Sequence, residues 1–142
     1  MSEQTMLREV YPIEAGNFTS AGEASGQIKQ ILKKLGVPSN VVRRVSVAAY
    51  EVELNLVIHS HGGEMELKVL PDKVELDIRD RGPGIPNLDL AMKEGFSTAT
   101  DDVRTMGFGA GMGLPNMRRN ATSFSISSTV GVGTVIEMGF DL

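Results

Sequence analysis

The chain contains no cysteine. That excludes disulfides, thiolate metal centres and a cysteine nucleophile, and it fits a reducing compartment. It holds two histidines, His59 and His61. They lie two apart, would not share a helix face, and with no thiolate nearby do not suggest a structural metal site. No apolar run approaches the roughly 20 residues needed to span a bilayer. Met1-Ser2-Glu3-Gln4 lacks the basic-then-apolar pattern of a signal peptide, so a cytoplasmic protein without membrane contact is expected. A net charge of −4 supplies no general attraction to nucleic acid or to an anionic membrane. There are no repeats, no low-complexity tract and no composition break. With 142 residues, 41% hydrophobic and 23% charged, a single domain over 1–142 with its own core is expected.

What is present is organised around a long helical pattern that opens near Ser39 and runs to His59. Positions three or four apart share a helix face, so Glu51, Asn55 and His59 form one polar stripe. Val45, Ala48, Val52, Leu56 and Ile58 make the rest of the helix apolar, and polar groups set among buried ones need partners. The stripe could equally be the wet face of an amphipathic helix. Glu53, two positions from both Glu51 and Asn55, points elsewhere and is expected at the surface. Upstream, Leu7 to Ile13 suits a short edge strand. Ser20-Ala21-Gly22-Glu23 has capping-box spacing. Ala24, Ile28, Ile31, Leu32 and Leu35 then recur at helical spacing until Gly36 stops them. Gly26 weakens that helix by about 1 kcal/mol relative to alanine, and Pro38-Ser39 restarts the chain into the long helix.

After His61-Gly62-Gly63 the period becomes two. Met65, Leu67 and Val69, then Val74, Leu76 and Ile78, alternate with charged residues on either side of Leu70-Pro71-Asp72-Lys73, which reads as an antiparallel hairpin. Asp80 has the parity of the buried face, where a carboxylate is costly unless something donates to it. An Asp-Gly turn closing the strand is the simpler alternative. Ile85 to Met106 is irregular, with a short helix expected over Asn87 to Lys93 and a solvated stretch over Ser97 to Asp102; such long loops are functional or disordered. Gly107, Gly109, Gly111 and Gly113 then alternate into Leu114-Pro115, and proline suits a first helical turn. A glycine loop feeding a helix N-terminus makes an anion site, although it could be a plain linker. Neither Gly-x-Gly-x-x-Gly nor Gly-x-x-x-x-Gly-Lys occurs, which excludes dinucleotide and Walker-type loops. Phe124 and Ile126, a Val130-Gly131-Val132-Gly133 turn, and Thr134, Ile136, Met138 and Phe140 make a second hairpin with Thr134 on its buried face.

Taken together and in this order, the Glu51–His59 stretch, Asp80-Arg81-Gly82-Pro83-Gly84, the Gly107–Gly113 segment and Gly131-Val132-Gly133-Thr134 resemble the four sequence boxes of the GHKL (Bergerat-fold) ATP-binding superfamily. The resemblance runs from about Thr19 to the C-terminus and is nearest to the small bacterial anti-sigma factor and serine/threonine kinase group. It implies an α/β two-layer sandwich, with a mixed, mostly antiparallel sheet and helices on one face, binding ATP and Mg²⁺ between sheet, long helix and lid. Asp80 would accept a hydrogen bond from the adenine amino group, with Gly82 and Gly84 letting the ring lie against backbone and Thr134 supporting it through its hydroxyl. Gly107, Gly109, Gly111, Gly113 and Leu114 would belong to the lid over the triphosphate. Asn55 would ligate Mg²⁺, Glu51 would be the general base, and His59 would sit near the phosphates.

The implied activity is a protein serine/threonine kinase and anti-sigma factor acting on a small STAS-domain, anti-anti-sigma-like partner, with a sigma factor or a phosphatase regulator as further candidates. The group is also compatible with a homodimer. A non-catalytic, nucleotide-dependent module that sequesters a regulator is the alternative; the ATP-binding half of a histidine kinase fits less well, because a two-helix dimerisation region with its phosphoacceptor histidine is lacking. Pro115, and the stretch from Phe96 to Met106, depart from the family pattern and bear on the lid and partner surface rather than on nucleotide contacts.

Overall fold

A computed structural model describes residues 5–82, 92 and 113–142, with the backbone alone for Phe18, His59 and Gly113. The alternating segments form five strands: β1 (Leu7–Ile13), β2 (Gly63–Val69), β3 (Lys73–Asp80), β4 (Ser123–Thr129) and β5 (Gly133–Asp141). The helical periods give α1 (Glu23–Lys34), α2 (Ser39–His59) and α3 (Gly113–Asn120). The sheet order is β1-β2-β3-β5-β4, so β1 is an edge strand as its sequence suggests. Each of the four described pairings is antiparallel, and no described strand supplies the parallel part of a mixed sheet.

Period-two patterning decides which face is covered. Met65, Leu67, Val74, Leu76, Ile78, Met138 and Phe140 point to one side and join Ile28, Leu32, Val45, Val52, Leu56 and Met117 from the helices in one core. The opposite face carries charges, among them Glu66 between Arg8 (Nε to Oε2, 2.7 Å) and Lys68 (3.3 Å). The result is a two-layer α/β sandwich with its helices on one side. Among the described residues no helix is long and apolar enough to cross a membrane.

Two expectations about α1 are corrected here. Ser20 does not cap it: Ser20 ends a 3-10 turn over Phe18–Ser20, and Gly22 occupies the N-cap at φ +102° without any side-chain cap. The acceptor comes instead from Glu53, which is 2% exposed rather than on the surface. Its carboxylate accepts the backbone N–H groups of Ala24 (3.2 Å) and Ser25 (3.0 Å). A carboxylate at the positive end of a helix dipole, satisfying two otherwise orphaned donors, outcompetes a local hydroxyl cap. The other end of α1 follows its sequence. Gly36 adopts φ +76°, with Gly36 N–H on the Lys33 carbonyl and Val37 N–H on the Leu32 carbonyl, both at 3.1 Å, a Schellman ending.

Candidate nucleotide site

The site is assembled from the ends of β3 and β5, one face of α2 and the start of α3. Asp80 is the last residue of β3 and is half-buried. Its Oδ1 accepts the backbone N–H of Thr134 at 2.7 Å, which ties the two sequence-predicted residues together. Among the described residues nothing donates to Oδ2. Thr134 itself is buried, with its Oγ1 2.9 Å from the Ser128 hydroxyl. Burial pushes the Asp80 carboxyl above its ordinary value; the Thr134 N–H and the nearby His61 act in the opposite direction.

Glycines make this approach of chains sterically allowed. A Cβ on Gly133 would collide with the Asp80 carbonyl oxygen and lie 3.1 Å from Asp80 Oδ1. A Cβ on Gly63 would collide with the Arg79 carbonyl oxygen and come within 2.8 Å of Asp80 Cα. Gly82 continues past Asp80 at φ +157°, its N–H donating to the Val132 carbonyl at 3.2 Å. Meanwhile His61 N–H donates to the Arg81 carbonyl (2.6 Å) and Arg81 N–H to that of Gly62 (2.8 Å). The end of α2 and the end of β3 are thus joined through backbone, beside the Asp80 carboxylate.

On α2, Glu51 and Asn55 are both half-buried and one turn apart. Burial raises the pKa of Glu51, and the Asn116 side chain of α3 acts in the opposite direction. Leu114 (7% exposed) and Met117 (0%) seat α3 in the core, so Leu114 is a packing residue at the site's edge. Pro115 is accommodated in the first turn of α3, which starts at Gly113. His59 closes α2, its backbone helical. Gly84, Gly107, Gly109 and Gly111 lie outside the described residues, as do the expected helix over Asn87 to Lys93 (Met92 apart) and the Phe96 to Met106 stretch.

The structure thus brings Asp80 to Thr134, and Glu51 to the helix that begins at Gly113. Sequence reasoning missed Ser128, Gly63 and Asn116. Ser128 was accessible in principle, since a hairpin with its turn at Val130–Gly133 pairs Ser128 with Thr134. A cavity of about 390 Å³ lined by Tyr11, Asn17, Glu23, Gln27 and Glu53 lies elsewhere. Glu53 is about 200° around the helix from Glu51, so that cavity is on the opposite flank of α2.

Residues 40–142 match the family model described as "Histidine kinase-, DNA gyrase B-, and HSP90-like ATPase". The serine/threonine-protein kinase RsbT of Bacillus subtilis (strain 168) is 29% identical over 113 residues, covering 77% of this chain and 79% of the relative. The anti-sigma F factor of Caldanaerobacter subterraneus subsp. tengcongensis is 27% identical over 99 residues, 66% of each chain. That of Thermoanaerobacter sp. (strain X514) is 26% identical over the same share.

Proposed function

The chain belongs to the histidine kinase-, DNA gyrase B- and HSP90-like ATPase family, in its anti-sigma factor and serine/threonine kinase group, and from that premise we propose that it is an ATP- and Mg²⁺-dependent serine/threonine protein kinase with anti-sigma function. Its substrate is a small STAS-domain protein of the anti-anti-sigma type. The observation that carries the kinase reading is Glu51: a half-buried carboxylate, raised in pKa, one turn from Asn55 and against the start of α3. A module that only bound nucleotide would have no use for a desolvated base there.

The residues present fit the nucleotide and metal. Asp80 Oδ2 is an acceptor suited to an exocyclic amine, held in place by the Oδ1 bond to Thr134. Asn55 offers a neutral oxygen to a cation. Magnesium takes one or two protein oxygens plus waters and phosphates, so one amide suffices. When bound, Mg·ATP supplies the phosphoryl group and neutralises its charge. Glu51 orients the partner's serine or threonine hydroxyl and takes its proton as the new O–P bond forms and ADP departs. Asp80 and Thr134 hold the adenine end throughout.

The test uses ATP labelled at the terminal phosphate and a candidate STAS partner. Label should pass to a partner serine or threonine in the parent protein. Glu51→Ala should keep Mg·ATP binding yet transfer about 10² to 10⁴-fold more slowly, the usual worth of a general base. Asn55→Ala should lose much of both binding and transfer. Equal transfer by Glu51→Ala and parent, or no transfer to any partner or water, sinks the kinase reading. Sequestration of a regulator, the activity suggested by the anti-sigma F relatives, then remains.

A further inference from the structure

We propose that Ser128 is a positioning residue at the adenine end of the site: its hydroxyl takes the proton of the Thr134 hydroxyl and holds that side chain in place for the base. The part that concerns the base rests on the nucleotide reading of the site; the bond between the two hydroxyls does not.

Register brings the two together. Ile126 of β4 pairs with Ile136 of β5, which pairs with Ile78 of β3, and all three face the core. Side chains alternate along a strand, so the next row on that face is Ser128 opposite Thr134, with Asp80 beside them. An apolar row thus gives way to a polar one at the end of the sheet where β3 stops. Ser128 breaks the series of Phe124 and Ile126, which pack against the core from the same face of β4. Thr134 turns its backbone and its side chain to opposite neighbours: its N–H donates to Asp80 Oδ1 at 2.7 Å, and its Oγ1 lies 2.9 Å from Ser128 Oγ.

Proton bookkeeping gives the direction of that bond. Each hydroxyl has one proton to give. Ser128 Oγ also lies 3.3 Å from the Gly133 carbonyl oxygen, which can only accept. Ser128 therefore donates to Gly133, through a long and weak bond, and receives the proton of Thr134. In the reverse order the Thr134 proton, in a residue 5% exposed, would have no acceptor among the described residues, and an unpaired buried donor is the costlier arrangement. Thr134 is then held through both its N–H and its hydroxyl. Its Oγ1 keeps its lone pairs for the base or for a water that bridges to it. With alanine at 128 the Thr134 hydroxyl loses this anchor and is free to leave its rotamer.

The test compares Ser128→Ala with Ser128→Thr, which keeps a hydroxyl, and adds Thr134→Val and the double variant that combines Ser128→Ala with Thr134→Val. Calorimetric ATP affinity should fall about fivefold or more in Ser128→Ala, the scale of one hydrogen bond, while inorganic triphosphate binds as in the parent and Ser128→Thr recovers most of the loss. Because Ser128 acts through Thr134, Ser128→Ala should weaken ATP no further once residue 134 is valine. A purely structural role would lower the melting temperature and weaken both ligands alike. An ATP affinity unchanged in Ser128→Ala overturns the proposal, as does an equal loss for triphosphate, or losses that add in the double variant. In nucleotide-free protein, proton NMR should find the Thr134 hydroxyl exchanging slowly in the parent and faster in Ser128→Ala. If the parent binds no ATP, the nucleotide reading fails, and the exchange alone decides whether Ser128 holds Thr134: equal rates in the two proteins overturn it.

Discussion

Asp80→Asn isolates base recognition from folding. The carboxylate uses Oδ1 to accept the Thr134 N–H at 2.7 Å. Asparagine can keep its carbonyl oxygen on that donor, so β3 and β5 stay joined, and the amide removes a charge that burial already disfavours. The NH₂ then stands where Oδ2 stood and presents a donor to the adenine amino group, also a donor. Losing the bond and leaving a donor unpaired costs roughly 1–3 kcal/mol, which is about fivefold to 150-fold in ATP dissociation constant. Calorimetry on parent and variant, with urea midpoints to show both folded, measures it directly. Two controls sharpen the result. Inorganic triphosphate should bind both proteins alike, and GTP, whose 6-oxo group accepts, should gain on ATP in the variant. Because burial raises Asp80's pKa, ATP affinity of the parent should decline on acidification from a higher pH than an ordinary aspartate would impose. The variant should lack that part of the decline. Equal ATP affinity in two folded proteins would refute the assignment of Asp80.

The remaining predictions concern stability. Glu53→Ala strands the buried N–H groups of Ala24 and Ser25 and empties the space of a 2%-exposed side chain; urea denaturation should show a loss of about 2–5 kcal/mol. Glu53→Gln retains one acceptor and should lose about 1–3 kcal/mol. Losses under about 0.5 kcal/mol, the range of neutral surface changes, would refute the capping role. Gly26→Ala should stabilise by about 1 kcal/mol, because Gly26 is exposed in mid-helix and an added Cβ meets no atom within 4 Å. A destabilised Gly26→Ala would show that propensity does not govern α1.

What could be read from the sequence was whatever depends on near neighbours. Alternation from Met65 to Ile78 gave both strands and placed Asp80 on the buried side, because parity propagates along a strand however the rest folds. The run from Ser39 to His59 gave α2, because helical periodicity is likewise a matter of near neighbours. Gly36 ended α1 by a local conformational preference. Glu53 was misread because its partners, Ala24 and Ser25, lie 29 and 28 residues away and are brought to it only when α1 docks on α2. Gly63 looked like part of a helix stop, whereas its lack of a Cβ is needed against Arg79 and Asp80 of the neighbouring strand. Asn116 carried no signal of its own: its place beside α2 is set only when α3 packs on that helix.

Glu51 and Glu53 show how two identical side chains in one helix acquire opposite fates. A separation of two residues turns them about 200° apart, and α2 is covered on both flanks, by α3 on one and α1 on the other. Glu53 meets two backbone donors at a helix N-terminus, and each of its oxygens accepts one of them. For Glu51, burial is the larger influence and raises its pKa, with the Asn116 side chain opposing it. The difference lies in the donors each finds rather than in depth, since the more deeply buried glutamate is the better satisfied one. Exchanging the two environments is therefore the wrong way to look for a base. A glutamate that is buried and accepts two backbone donors caps a helix; on the kinase reading, the half-buried one whose pKa burial raises is the one to take the proton.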